Sequence, residues 1–177
     1  MLIRPLEHAE LDSFFAYLND HLSDNGIGAT ALFMPMPRSD SRFPPEKEAA
    51  FRTGLATPMG EPGWRRAFLA IDDAGNTIGH IDLRARPERT AAHRALLGMG
   101  VHRDARRQGL GQRLVEFVLD WARAQQGIDW VDLDVLAVNT GARKLYQRCG
   151  FQQTGEVADM YRIDGDALAY VSMTLRV

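Results

Sequence analysis

Between Val101 and Gly111 the chain reads Val-His-Arg-Asp-Ala-Arg-Arg-Gln-Gly-Leu-Gly, which sets Arg103, Arg106 and Arg107 just ahead of Gly109 and Gly111. Where such a run joins a strand to a helix, its chemistry is anion binding. The free amides of a helix N-terminus point outward with the positive end of the macrodipole, and glycines let a diphosphate approach the backbone without meeting a β-carbon. Nearby arginines add positive charge. Three other phosphate motifs fail on the letters. A P-loop ends in Gly-Lys-Ser/Thr, whereas Gly111 is followed by Gln112 and Arg113; a dinucleotide fingerprint needs a third glycine where Leu114 stands; a kinase glycine loop needs partner motifs that do not occur. The pattern Arg-x-x-Gly-x-Gly, from Arg106 to Gly111, remains. By itself it also describes an ordinary solvated helix cap.

The elements that must position this loop follow from periodicity. Leu96-Leu97-Gly98-Met99-Gly100-Val101 reads as a strand leading into it, with two glycines that suggest a bulge or a close approach to the backbone. Leu110, Leu114, Phe117, Val118 and Trp121 recur at helical spacing, giving an amphipathic helix from about Gly109 to Gln125. Upstream, Leu2 to Leu6 reads as an edge strand containing Pro5, and a helix follows over about Ala9 to Leu18. Ala67 to Ile71 and Ile78 to Leu83 flank a hairpin connection at Asp72 to Asn76. Downstream, Val131, Leu133 and Val135 alternate with Asp132 and Asp134 as in a strand, and Ala142, Leu145, Tyr146 and Cys149 line a helix ended by Gly150. Glu156 to Ile163 and Leu168 to Leu175 read as a closing strand pair around Asp164-Gly165-Asp166. Between Leu22 and Trp64, glycines and prolines break the pattern except for a helix over about Pro45 to Thr53, with Gly54 as its exit. The fold class is α+β: a central mixed, mostly antiparallel sheet flanked by helices, in one domain over residues 1–177.

The run from the strand ending at Val101 through Leu114 resembles the coenzyme A-binding signature of the GNAT (GCN5-related N-acetyltransferase) superfamily. The segment Asn139-Thr140-Gly141-Ala142-Arg143-Lys144-Leu145-Tyr146, continuing to Gly150 and Phe151, is similar to that family's second motif. The two motifs stand in the family's order, and the resemblance covers about Arg66 to Phe151. It implies a GNAT-like sheet, acetyl-CoA as cosubstrate with no metal, and transfer of the acetyl group by direct attack of a primary amine on a small molecule or peptide. It also implies a cofactor site made of Met99, Gly100, Val101, Arg106, Arg107, Gln108, Gly109, Leu110, Gly111, Gln112, Asn139 and Tyr146. Within that reading the amides of Met99 and Val101 are the oxyanion donors and Tyr146 is the acid that protonates the departing sulfur. Residues 22–64 become the variable acceptor-side segment. Many relatives carry a glutamate on the strand before the pyrophosphate loop, but Leu96 to Val101 contains no carboxylate. The base is therefore open among His80, Asp82, His102 and Asp134, and a non-catalytic acyl-CoA-binding sensor stands as the alternative.

Composition bounds the rest. A net charge of -2 provides no basic field for nucleic acid or an anionic membrane, and no run of about 18 apolar residues offers a membrane span. The single cysteine, Cys149, excludes an internal disulfide and reads as a small buried hydrophobe; with no leader pattern at Met1, the expected location is the cytoplasm. The 5 histidines show no paired ligand spacing, so no metal is expected. Trp64, Trp121 and Trp130 read as core or interface aromatics. Leu32, Phe33 and Met34 are candidates for an exposed homodimer surface.

Overall fold

A computed structural model describes all residues 1–177. Its strands are β1 (Leu2–Pro5), β2 (Arg65–Ile71), β3 (Thr77–Ala85), β4 (Arg94–Val101), β5 (Trp130–Leu136), β6 (Gln152–Ile163) and β7 (Asp166–Arg176). Its α-helices are α1 (Leu11–Leu22), α2 (Pro45–Ala56), α3 (Leu110–Arg123) and α4 (Thr140–Arg148). The strands form one sheet in the order β1-β2-β3-β4-β5-β7-β6, antiparallel throughout except for the parallel pair β4–β5. This is the expected mixed, mostly antiparallel sheet flanked by helices.

Strand alternation sends successive side chains to opposite faces, and each face has its own cover. Ile81, Leu83, Leu97, Val131, Leu133, Val135, Val171 and Met173 pack with Leu110, Leu114, Val115 and Val118 of α3 and Tyr146 of α4. Each fully buried aliphatic side chain contributes on the order of 1.5–3 kcal/mol, so this layer fixes where α3 begins. The opposite face of β1 and β2 is covered by α1 and α2 through Leu11, Phe14, Phe15, Leu18 and Phe51.

Four local differences from the periodicity have physical causes. Helix α1 runs a turn beyond Leu18, and that turn buries His21 and Leu22. Helix α2 passes through Gly54, because a β-carbon there would lie 2.9 Å from the Gly63 carbonyl; the glycine serves a close chain crossing. Strand β6 begins at Gln152, ahead of the expected Glu156, and stays paired through two register shifts. Strand β4 has no bulge, since β3 pairs with it without a shift from Ala95 to Val101. Its glycines instead admit side chains: a β-carbon on Gly98 would lie 2.6 Å from the Asp82 carboxylate, and one on Gly100 would lie 2.5 Å from the His80 ring and 2.7 Å from His21 Nε2.

The segment between α1 and α2 is organised by Asn25, which is wholly buried. Its carbonyl oxygen accepts from the amides of Phe33 and Met34, and its amide donates to the Met34 carbonyl and to Ser41. This turns Leu32 and Phe33 inward. Leu32 packs with Leu136 and Leu168, and Phe33 stacks on His21 at 4.7 Å. The expectation that Leu32, Phe33 and Met34 form an exposed apolar surface is thereby corrected: Leu32 is buried and the other two are half-buried.

Candidate active site

Strands β4 and β5 pair only over Arg94–Trp130, Ala95–Val131 and Leu96–Asp132. Beyond that point Leu97 to Val101 and Leu133 to Leu136 have no partner in each other, so the sheet opens into a wedge at its middle. The direction of the backbone groups follows from neighbouring bonds. His102 donates to Ile78 of the β3 side, so by alternation the amides of Val101 and Met99 face β5. Ala137 donates to Ala169 of the β7 side, so the backbone groups of Leu136 and Asp134 face β4. The wedge is lined by peptide groups from both strands, including the two amides expected as oxyanion donors.

At the mouth of the wedge α3 starts on Gly109, which caps the helix at φ 79°. None of the N–H groups from Arg107 to Gln112 donates within the chain; the first bonded amide is Arg113, which donates to the Gly109 carbonyl. Arg107 is also left-handed, at φ 61°, a conformation that costs an L-residue with a β-carbon about 1–2 kcal/mol. Successive amides gathered in this way form a cradle for an anion, and a β-carbon on Gly109 would meet nothing within 4 Å. Leu110 is buried beneath the cradle, so its amide alone faces outward; Gln108 and Gln112 turn their side-chain amides to the Asp104 carbonyl and to Glu116.

Two expectations for this loop change. The Arg106 side chain does not surround the cradle. It donates to the Val101 carbonyl at 3.0 Å, to Asp24 at 3.0 Å and to Thr30 at 3.3 Å, tying the end of β4 to the segment after α1. Arg103 joins the same tie through Asp20 and Asp24. Arg107 is the exposed arginine of the loop and forms no ion pair. Gly111 also has a different reason to be glycine: a β-carbon there would lie 3.0 Å from Leu145 and 3.4 Å from Met99, so its smallness lets α4 approach α3.

Helix α4 completes the wall. Asn139 is its N-cap, accepting from the Ala142 amide at 3.2 Å, which leaves the side-chain NH2 without a partner in the chain. Tyr146 lies on the core face against Phe151, ring centroids 5.8 Å apart. Burial raises its phenol above the usual value, so it holds its proton at neutral pH. Its hydroxyl makes no bond within the chain, yet it is not a fully enclosed atom. Cys149 is half-buried, and burial raises its thiol.

The base candidates separate. His102 caps the turn after β4 and contacts Asp20, a structural position. Asp82 is buried between Arg65 and Arg84, each 3.3 Å away. Asp132 is saturated by Arg86, Arg94 and Thr174, whereas Asp134 is exposed and accepts from Ser172. His80 is buried on the α1 side of β3, with Nδ1 3.3 Å from the Tyr17 hydroxyl. Sequence reasoning did not single out His21, which the structure sets beside His80 against Gly100. Its signal was faint, since it lies one turn past the last apolar residue of the recognised helix pattern. A cavity of about 510 Å³ lies on this side too, between Gly26 to Leu32, Val138 and Asp166 to Leu168. No group of three His, Cys, Asp or Glu residues is arranged to hold a metal, and no helix is long and apolar enough to cross a membrane.

Comparison with known proteins agrees with this fold. Residues 30–151 match the model of the acetyltransferase (GNAT) family. The chain is 24% identical to the uncharacterized N-acetyltransferase YycN of Bacillus subtilis over 157 residues, 89% of this chain and 96% of that one. A GNAT-family acetyltransferase structure from Streptococcus pneumoniae superposes with a TM-score of 0.81 at 22% identity, covering 99% of both chains. A phosphinothricin acetyltransferase from Sinorhizobium meliloti, solved in complex with AcCoA, superposes with a TM-score of 0.77 at 19% identity, covering 99% of this chain and 88% of that one.

Proposed function

The chain belongs to the acetyltransferase (GNAT) family, and on that premise we propose that it is an N-acetyltransferase moving the acetyl group of acetyl-CoA to a primary amine of a small molecule or peptide by direct attack. The observation that carries this reading is the wedge between β4 and β5, which opens at Leu97 and ends at the amide cradle of Arg107 to Gln112. The cradle suits a diphosphate, and the wedge suits an extended amide-bearing arm running between two unpaired strand edges. Acetyl-CoA supplies the activated acyl group. The chain's own residues do the rest: Arg107 to Gln112 hold the diphosphate, and the Met99 and Val101 amides face the carbonyl oxygen where negative charge develops. Asn139 fixes the start of α4, and Tyr146 offers its retained proton to the departing sulfur.

The acceptor is assigned to the opposite side, where the 22–64 segment, Val138 and the start of β7 border the cavity. The first test is thermal unfolding with acetyl-CoA, with ATP and NAD as controls. At about 100 times its dissociation constant the specific ligand stabilises by roughly 2.7 kcal/mol. A selective shift with acetyl-CoA is expected; a shift only with ATP or NAD overturns the reading. Steady thiol release in the presence of an amine then separates turnover from binding alone.

Replacing Tyr146 with Phe keeps the packing against Phe151 and removes the proton. It should lower kcat by roughly 10²-fold while leaving acetyl-CoA affinity within about a factor of two. Unchanged turnover removes Tyr146 from the chemistry.

A further inference from the structure

We propose that His21 positions the acceptor amine, its Nε2 lone pair receiving a hydrogen bond from the attacking N–H beside Gly100; this rests on the acetyltransferase reading above. The case begins with geometry. His21 sits on the last turn of α1 and is 7% exposed. Nδ1 is enclosed with no partner, whereas Nε2 also lacks a partner in the chain but is not enclosed. Nε2 is aimed at Gly100, 2.7 Å from where a β-carbon would stand, and Gly100 lies between the two residues whose amides face the wedge. The imidazole therefore stands directly behind the strand edge at which the carbonyl is expected, on the acceptor side of the sheet.

The ring is held rather than free. It stacks on Phe33 at 4.7 Å and on Tyr17 at 6.2 Å, and meets His80 edge-on at 6.0 Å. The charged and titratable groups that face it are Tyr17 from α1, His80 from β3, Arg106 and His102 from the connection after β4, and Asp24 from the following segment. Burial, with His80 and Arg106 adding to it, pushes the imidazole down to about 3. At working pH it is neutral and not a proton carrier, and in the tautomer with the proton on Nδ1 its Nε2 is a hydrogen-bond acceptor. That suits an amine, which reacts only as the neutral form: the nitrogen lone pair forms the C–N bond, the C–S bond breaks with its electron pair on sulfur, and one proton passes overall from nitrogen to sulfur. His21 directs the lone pair by holding an N–H. The enclosed Nδ1 is a stability cost retained at this position.

The test uses the whole chain, with spermidine, an alanine-initiated peptide and phosphinothricin as acceptor probes. His21→Leu removes the acceptor atom, and His21→Gln places an amide oxygen near the position of Nε2. For the best probe, His21→Leu should lower kcat/KM by roughly 10²-fold with acetyl-CoA affinity unchanged and thermal stability equal to or above wild type. His21→Gln should recover at least part of the rate. The basic rise of the pH–rate profile should follow the pKa of the chosen amine and not a fixed enzyme group. Wild-type rates in His21→Leu overturn the role of His21 alone, and so does a loss matched by weaker cofactor binding. A wild-type protein that binds acetyl-CoA but acetylates none of the probes overturns the enzymatic reading and this inference with it.

Discussion

Gly109→Asp should abolish acetyl-CoA binding, weakening it at least about 100-fold, or roughly 2.8 kcal/mol at about 1.4 kcal/mol per factor of ten. Gly109 sits at φ 79° at the cap of α3, and a side chain there points into open space over amides that donate to nothing in the chain. Aspartate is among the residues that accept a left-handed backbone, so the fold should survive the change at a cost of about 1–2 kcal/mol or less. What the substitution adds is a carboxylate where the diphosphate must lie, and that same carboxylate satisfies the exposed amides itself. Gly109→Asn has nearly the same shape without the charge. It should bind acetyl-CoA much more tightly than the aspartate variant. Isothermal titration of the two variants separates charge from strain: equal affinity in Gly109→Asp and wild type removes the cradle as the diphosphate site, and equal loss in both assigns the effect to backbone geometry.

Lowering the pH from 7 to 5 should destabilise the protein by about 2 kcal/mol for each of His21 and His80. Burial depresses both imidazoles to about 3 in the folded state, against about 6.5 when unfolded. Between those values the unfolded chain binds a proton that the folded chain refuses, so stability is full above about 6.5 and falls as the pH drops toward 3. Carboxylates with depressed values, such as Glu10 at about 2 beside Arg4, also favour the folded state at high pH, but their loss begins only near the ordinary carboxylate range. The interval from 7 to 5 therefore isolates the histidines. Denaturant unfolding at the two pH values measures the difference, and His21→Leu should remove about half of it. Equal stability at pH 7 and pH 5 would show that the two rings are not buried as neutral groups.

The loop from Val101 to Gly111 and the segment from Asn139 to Phe151 could be placed from sequence because their features are local. A helix start needs its cap and its free amides within a few residues of each other, and apolar spacing identifies the helix that follows. The same holds for the alternation in β5 and for the turn at Asp164 and Gly165, where both residues are left-handed as a tight hairpin requires. Side-chain destinations were not legible in this way. Arg106 and Arg107 are adjacent in the chain, yet the first is drawn away by Asp24 and Thr30, residues more than seventy positions earlier, and the second is left free. Gly98 and Gly100 stood out within a strand and Gly111 within the loop motif, but what each makes room for belongs to a different element.

Sequence by itself determined the family, the order of strands and helices, the position of the amide cradle and the helix that follows Asn139, since each rests on contacts among near neighbours. Tertiary structure alone decided that β4 and β5 part after Leu96 and Asp132. It also decided that Asn25 folds the proline-rich segment inward and that His21 meets His80 behind Gly100. Those depend on the packing of residues brought together from α1, β3 and β4, whose energy is set by burial and by partners distant in sequence, and no local pattern encodes it.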